Sequence, residues 1–437
     1  MPAKRRQSGA VLRSERYLRA LLLPRALRPL RHRRYALLWT GAFVSNIGTW
    51  METVAVGILV TKATGQAQWA GMVAAAAFVP TALLAPVGGA LADRLPRRRL
   101  LLATTTLQTI FAGTLCALAA VNAARPATVT LIVLFAGCAQ ALGFPSYQAM
   151  IPDLVGREDL AGAVALGSAQ WNLGRVIGPA LAGIVISVGG YEWAFAVNTA
   201  SFLAVLAAIA PLELPSPRPV PGQSVAAAIR DGIRYIVREP GLRALLSYLA
   251  LNSLFAAPFI ALIPAVALKL FHDERGGTAA LVTAQGIGAV AMALVLGILT
   301  GRFGHRRVLL GCVGTLPIVL GLYALAPTLS LGVVAIFFVG FAYLGCLSSF
   351  TTIAQLLAPP ELRGRVVSAQ FVLLGAVYPI GSIAQGAIAD EIGLRATTAG
   401  AAILLGASVI VIRILRPRFD RTLSHVDVST TPAAATR

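Results

Sequence analysis

The segment Gly89-Ala-Leu-Ala-Asp-Arg-Leu-Pro-Arg-Arg-Arg-Leu100 has a second, related copy in this chain of 437 residues. The second copy, Gly297-Ile-Leu-Thr-Gly-Arg-Phe-Gly-His-Arg-Arg-Val308, aligns with the first without gaps at an offset of 208 residues. Each copy joins two long apolar segments and ends in a cluster of arginines. A shared motif at the same place in two halves of a chain indicates an internal repeat, as in membrane proteins built from two related groups of helices.

The composition places the apolar segments in a lipid bilayer. Hydrophobic residues make up 57% of the chain and charged residues 12%, and the mean hydropathy is +0.77. Soluble globular proteins carry about 45–50% apolar and about 25% charged residues. So little charge cannot cover a water-facing surface, which excludes a soluble enzyme. A disordered chain is also excluded, because it would be polar and highly charged.

The apolar segments are each long enough to cross a bilayer, which takes about 17–25 residues. They are continuous rather than alternating, so helices are predicted instead of strands. The sequence therefore predicts an all-α integral membrane protein with twelve transmembrane helices in two six-helix bundles. The predicted spans are 37–61, 69–92, 99–122, 127–151, 161–189, 193–212, 242–268, 278–300, 307–326, 329–357, 364–389 and 395–415.

Polar segments separate the two bundles and flank them. The predicted organisation is a basic cytoplasmic tail (1–36), a first bundle (37–212), a cytoplasmic linker (213–241), a second bundle (242–416) and a second cytoplasmic tail (417–437). The linker begins rich in proline, and an amphipathic helix is predicted near its end, over Ala226–Arg238.

The basic residues test this topology. With the N-terminus in the cytoplasm, 31 of the 37 Lys and Arg residues fall in segments on the cytoplasmic side. Such a bias is the usual signal for membrane orientation, so both termini are predicted to be cytoplasmic, in the cell (inner or plasma) membrane. The same bias explains most of the net charge of +20, and nucleic acid need not be a partner.

Several kinds of enzyme and cofactor site lack support. The three lysines are not in a G-x-x-x-x-G-K-[ST] sequence, so an ATPase phosphate loop is absent from the sequence. The four cysteines lie in apolar runs without a C-x-x-C pair, and the four histidines are far apart. Zinc sites, disulfide frameworks and hydrolase nucleophile elbows are therefore not predicted, and no cofactor is expected.

The repeated motif resembles G-x-L-A-D-R-x-G-R-[KR], the motif of the major facilitator superfamily. The resemblance of the chain to this superfamily covers nearly all of residues 30–416. The chain departs from the motif at Pro96, where the family usually has Gly, and at Gly301, where the second copy lacks the Asp. Three further segments resemble the branch that includes the enterobactin (siderophore) exporter. They are Asn172-Leu-Gly-Arg-Val-Ile-Gly-Pro-Ala-Leu-Ala-Gly183, Gly48-Thr-Trp-Met51 and Glu361-Leu-Arg-Gly-Arg365. The resemblance implies a monomeric secondary transporter.

Two groups of residues are candidates for gating and packing. A carboxylate followed by four arginines should stay ionised and accept hydrogen bonds from them. By resemblance, this carboxylate holds the two bundles together in the outward-open state; the alternative is an ordinary topogenic loop. The candidate gating residues are Asp93, Arg94, Arg97, Arg98, Gly89 and Arg302.

Small residues in span 5 are candidates for close helix packing. They either control leak through the transporter or serve helix packing alone. They are Gly174, Gly178, Pro179 and Gly183.

Two ionisable residues, Glu52 in span 1 and Arg175 in span 5, fall well inside predicted spans. Charge inside a bilayer is costly, roughly 2.5–3.5 kcal/mol on insertion scales, and is a functional hypothesis by default. Both residues lie about 21–22 Å from the starts of their spans, at a rise of about 1.5 Å per residue. Similar depth makes an ion pair and a shared role in proton coupling plausible; the alternatives are a structural pair or a vestibule position for Glu52.

Substrate-contacting residues are implied by the resemblance, because spans 1, 4, 7 and 10 line the cavity in this superfamily. Uncharged polar and aromatic residues in those spans are the candidates, although an interhelical hydrogen bond or a lipid-facing position would explain each equally well. They are Asn46, Thr49, Gln140, Tyr147, Gln148, Asn252, Phe255, Tyr343 and Ser348.

The leading functional hypothesis is proton-coupled export of a small amphipathic organic molecule, such as a drug, a siderophore or a secondary metabolite, by alternating access. The alternatives are a proton-coupled importer and, from another class, a membrane-embedded lipid or glycan transfer enzyme. The enzyme would require paired carboxylates or histidines in membrane-edge loops, which the sequence does not offer. The expected partners are the lipid bilayer, a small-molecule substrate and protons.

Overall fold

The computed structural model describes residues 25–212, 230, 234–274, 276–359 and 362–415. Most of the two predicted tails and of the linker, including most of the predicted helix at 226–238, lie outside these residues. Within them the chain is a series of long helices without strands. The prediction of an all-α integral membrane protein is confirmed.

The first half of the chain contains six membrane-crossing helices, α1 to α6. A short 3₁₀ helix, Arg25–Arg31, precedes them. The helix α1 begins at Arg33, four residues before the start predicted for the first span. The helices are α1 (Arg33–Thr64), α2 (Ala67–Arg94), α3 (Arg97–Ala120), α4 (Pro126–Gly156), α5 (158–189) and α6 (191–209).

Two glycines separate α4, α5 and α6, which otherwise form one helical stretch, Pro126–Ile209. Gly156 has a φ of 74° and Gly190 a φ of 79°, values that suit glycine because it has no Cβ. Eleven helices in the described residues are long and apolar enough to cross a membrane, and the longest of these, Glu158–Ile209, contains both α5 and α6. Division of that helix at Gly190 gives twelve spans.

The second half contains α7 to α12. The helix α7 spans Pro240–Leu270 and includes two π-helical turns, Asn252–Ala256 and Val266–Leu270. The remaining helices are α8 (Gly277–Phe303), α9 (His305–Leu325), α10 (Leu329–Leu357), α11 (Arg363–Ile392) and α12 (Leu394–Leu415).

Each half has its own packed interior. The largest hydrophobic cluster is built almost entirely from α7 to α12, whereas four smaller clusters fill the first half. Glycines bring some helices into backbone contact: a Cβ on Gly340 of α10 would overlap the backbone of Gln285 in α8. Small residues at such positions allow membrane helices to approach closely.

Helices α2 and α11 run antiparallel and join the two halves. We call the side of the molecule with the Leu95–Pro96 connection the motif face, and the side with the Gly65–Gln66 connection the closed face. Three contacts follow one another inward from the closed face. Gly386 packs against Gln68, the Tyr378 ring packs against the Phe78 ring at 5.0 Å between centroids, and Gly375 packs against Ala82. Ala82 lies 15 residues along α2, which is about 22 Å at 1.5 Å per residue. The halves are thus in contact from the closed face to mid-depth.

Candidate functional site

The arginines of the repeated motif bind groups of the first half. Arg97 donates to Asp153 Oδ2 at 2.7 Å and to the carbonyl of Ala149 at 3.0 Å, both at the end of α4. Arg98 donates to the carbonyls of Ile209 and Ala210 at the end of α6. The start of α3 is thereby fixed to its neighbours on the motif face.

Asp93 is exposed and has no hydrogen-bond or ion-pair partner among the described residues. The expectation that it accepts hydrogen bonds from the neighbouring arginines is wrong in this conformation, because Arg97 pairs with Asp153 instead. Arg94 is also exposed, and Arg302 of the second copy lies over the Phe303 ring at 5.4 Å. A Cβ on Gly89 would meet nothing within 4 Å. The motif Asp is therefore free while the closed face is joined.

Arg175 of α5 lies at the boundary between the halves. It is 9% exposed, and its Nη2 donates to Oε1 of Gln285 in α8 at 2.8 Å. Its guanidinium also lies 5.7 Å from the centroid of the Trp50 ring in α1. Trp50 in turn packs edge-on against Trp171, at 6.0 Å between ring centroids. This buried cation therefore connects α1, α5 and α8.

Glu52 lies on α1 two residues after Trp50, and its side chain binds a different neighbouring helix. Its Oε2 accepts a hydrogen bond of 2.6 Å from Asn198 Nδ2 in α6, and Ser201 donates to Asn198 Oδ1 at 3.1 Å. The predicted ion pair between Glu52 and Arg175 is wrong in this conformation. Glu52 binds an amide within the first half, whereas Arg175 binds an amide of the second half.

Part of the predicted cavity lining forms a polar chain between α1, α4 and α5. Asn46 is buried and donates to the carbonyl of Gln170 at 3.2 Å, and the Tyr147 hydroxyl donates to the Gln170 side chain at 3.5 Å. Gly174 provides the space for Asn46, since a Cβ there would lie 3.0 Å from the Asn46 amide carbon. The structure thus brings together two of the predicted cavity residues through an unpredicted third, Gln170.

Other predicted cavity residues are dispersed. Gln140 accepts a hydrogen bond from Gln108 of α3, so it faces α3 rather than the second half. Tyr343 is buried against Phe259 at 5.6 Å between ring centroids. Asn252 is buried without a partner for Nδ2 among the described residues. Thr49 and Gln148 are exposed, and Phe255 and Ser348 are half-buried.

The small-residue stripe of α5 serves two interfaces. A Cβ on Gly178 would lie 2.8 Å from the carbonyl of Ile47 in α1, and one on Gly183 would lie 2.7 Å from Ala279 in α8. The stripe, which includes Pro179, therefore packs against the first half over one part and the second half over another.

The closed face has a polar cluster that the sequence analysis did not identify. Asp390, near the end of α11, accepts hydrogen bonds from the backbone N–H groups of Ala67 at 2.8 Å and Gln68 at 2.9 Å. Lys269 donates to the same carboxylate at 3.0 Å. We call these four residues the Asp390 cluster. It places a second-half carboxylate on the N-terminus of α2, where helix N–H groups and the helix dipole favour a negative charge.

The residues that sequence reasoning missed were mostly uncharged. Gln285, Asn198 and Gln170 are amides inside apolar spans, and a search for intramembrane amides would have found them. Trp50 was noted only as part of a family resemblance. Asp390 was overlooked because it lies near the end of its span, where a carboxylate is common.

The model of the transmembrane secretion effector family matches residues 25–433 of this chain. The chain is 29% identical to the multidrug efflux pump Tap of Mycolicibacterium fortuitum, over 91% of this chain and 98% of that protein. It is 28% identical to the enterobactin exporter EntS of Citrobacter koseri, over 83% of each. Among solved structures, a mutant of the nucleoside transporter NupG superposes with a TM-score of 0.71 at 13% identity, covering 87% of this chain and 99% of that one.

Proposed function

Because the chain belongs to the transmembrane secretion effector family of the major facilitator superfamily, we propose that it exports a small amphipathic organic molecule by proton-coupled alternating access. The chain is a multi-pass membrane transporter and not an enzyme. Export as the direction is supported by relatives named as an efflux pump and a siderophore exporter. The proposed location is the inner or plasma membrane, with the motif face in the cytoplasm, where 31 of 37 basic residues then lie.

Alternating access requires an interface that can separate. The contacts between α2 and α11 consist largely of small residues, a ring pair and the Asp390 cluster. With the motif face in the cytoplasm, the described conformation is closed to the outside, and Asp93 is free to engage the second half in the opposite state. In the proposed cycle, the closed face opens when the motif face closes, and the motif face opens when the closed face closes.

Proton coupling is supported by one observation, the position of Glu52. It is a carboxylate inside a membrane-crossing helix, it binds an amide, and it has no cation partner among the described residues. A carboxylate that is not fixed by a cation can exchange a proton without leaving an unpaired buried charge. The proposed proton site therefore consists of Glu52 and Asn198, without Arg175.

The experiment is transport in proteoliposomes with ethidium and a panel of siderophores, with and without a pH gradient. We expect Glu52→Gln to abolish gradient-driven transport but to retain counterflow, which needs no net proton movement. Glu274→Gln is the matched control, because it neutralises an exposed carboxylate of a loop on the closed face. Full gradient-driven transport by Glu52→Gln would contradict the proton site, and the absence of transport of every probe would contradict export.

A further inference from the structure

The surroundings of Arg175 contain buried hydrogen-bond donors that lack acceptors. Nε of Arg175, Nε2 of Gln285 and Nε1 of Trp50 are all buried without a partner among the described residues. The three side chains adjoin one another, through the Arg175–Gln285 hydrogen bond and the placement of the guanidinium at 5.7 Å from the Trp50 ring. A buried donor without an acceptor is unfavourable, because it has lost its hydrogen bonds to water without gaining others. A site with surplus donors around a cation is suited to an acceptor-rich, anionic group.

The guanidinium presents its bidentate edge to this site. In arginine, the Nε–H and one Nη2–H point in the same direction and can hold the two oxygens of one carboxylate. Here Nη2 holds the neutral amide oxygen of Gln285, and the adjacent Nε holds nothing. No acidic side chain occupies this edge among the described residues, since Glu52 is bound to Asn198. The guanidinium therefore has a buried Nε–H free for an acceptor beside the Nη2 group that Gln285 occupies.

Aromatic rings connect this position with the molecular surface. Trp171, 49% exposed, lies one helical turn before Arg175 on α5 and contacts Trp50. The indole rings offer flat apolar faces beside the cation. An aromatic acid could place its ring against the indoles and its charged group on the guanidinium.

We propose that Arg175 and Trp50 form a binding subsite for an aromatic carboxylate or phenolate, and that the anion displaces Gln285 from the guanidinium. This inference rests on the proposed function, because it names the substrate class of the transporter. When the anion displaces the Gln285 side chain, the hydrogen bond between Arg175 and Gln285 is broken, and this bond joins the two halves. Substrate binding would thereby weaken the closed face and favour the opposite state, as a ligand with differential affinity for two states must.

The test is equilibrium binding of radiolabelled salicylate to the full chain in nanodiscs, with neutral salicylamide as the competitor control. We expect saturable salicylate binding to wild type and a loss of about tenfold or more in Arg175→Gln, the loss associated with a charged hydrogen bond. Arg395→Gln, which changes an arginine bound to a loop carbonyl, is the matched control and should bind normally. No saturable binding to wild type, or equal affinity for salicylamide, would overturn the subsite.

A second variant separates ligand binding from a purely structural role. Gln285→Ala removes the competitor for the guanidinium and should leave salicylate binding unchanged or tighter. If the Arg175–Gln285 bond serves only to pack the halves, both variants should weaken binding alike, and the proposal is wrong. Ethidium transport by wild type is measured in parallel: transport without salicylate binding would refute this subsite alone, whereas loss of both would refute the proposed function as well.

Discussion

Replacement of Asp390 by Asn should open the closed face. The carboxylate accepts two hydrogen bonds from the first N–H groups of α2, and its side chain is 18% exposed. Hydrogen bonds to charged groups contribute about 1.5–3 kcal/mol and neutral ones about 0.5–1.5. Asn can keep one neutral bond, so even at the lower end of these ranges the closed state should lose about 2 kcal/mol. The bond from Lys269 is not counted, because that side chain is 37% exposed and solvent screens it.

A loss of about 2 kcal/mol corresponds to a change of about 30-fold in the ratio of closed to open molecules, at about 1.4 kcal/mol per tenfold. The measurement is the distance between spin labels at Ala123 and Ser330, exposed positions near the closed face in the first and second halves. We expect Asp390→Asn to add or enlarge a longer-distance population.

Glu274→Gln is the control for this measurement. Glu274 forms an ion pair between the halves on this face, with Lys62 at 2.8 Å, but both side chains are more than half exposed. The hydrogen bond from Lys62 lowers the pKa of Glu274, so the pair is lost only as the pH falls through that lowered value and is intact at neutral pH. Exposed pairs contribute little, and the distance distribution should hardly change. A role for Asp390 in holding the N-terminus of α2 is refuted if Asp390→Asn leaves the distances unchanged, or if Glu274→Gln shifts them as much.

Further predictions concern the motif face, the interface and the topology. Asp93→Asn should greatly reduce transport without lowering abundance or thermal stability, because Asp93 has no hydrogen-bond or ion-pair partner among the described residues; near-normal transport would reduce the loop to a topogenic signal. Arg97→Gln should instead lower the free energy of unfolding by about 1 kcal/mol, the value of a part-exposed pair, and an unchanged melting temperature would argue against a role in fixing α3 to α4. Gly386→Ala would place a Cβ 2.7 Å from the Gln68 Cα. The spin-label distances should therefore lengthen in Gly386→Ala as in Asp390→Asn, whereas Gly276→Ala, with nothing within 4 Å, should not lengthen them. Cysteines at Ser216 and Gly276 should be labelled from opposite sides of the membrane, and labelling of both from one side would contradict the twelve-span topology.

The spans could be predicted from the sequence because apolar length alone sets where a helix crosses a bilayer. The partners of individual side chains could not, because position in a span gives depth along a helix but not rotation about its axis. Glu52 and Arg175 show the difference, since they lie at similar depth but bind α6 and α8, respectively. The dense charge of residues 93–99 led to the prediction that Asp93 accepts hydrogen bonds from the neighbouring arginines. This was wrong because Asp93 lies at the end of α2, whereas Arg97 begins α3 and binds Asp153 of α4.

The single-residue connections at Gly156 and Gly190 also limit how three helices can move. Consecutive Cα atoms are about 3.8 Å apart, so a one-residue connection leaves the facing ends of two helices no room to separate. The joined ends of α4 and α5, and those of α5 and α6, therefore have to move together whenever the two halves change their relative positions.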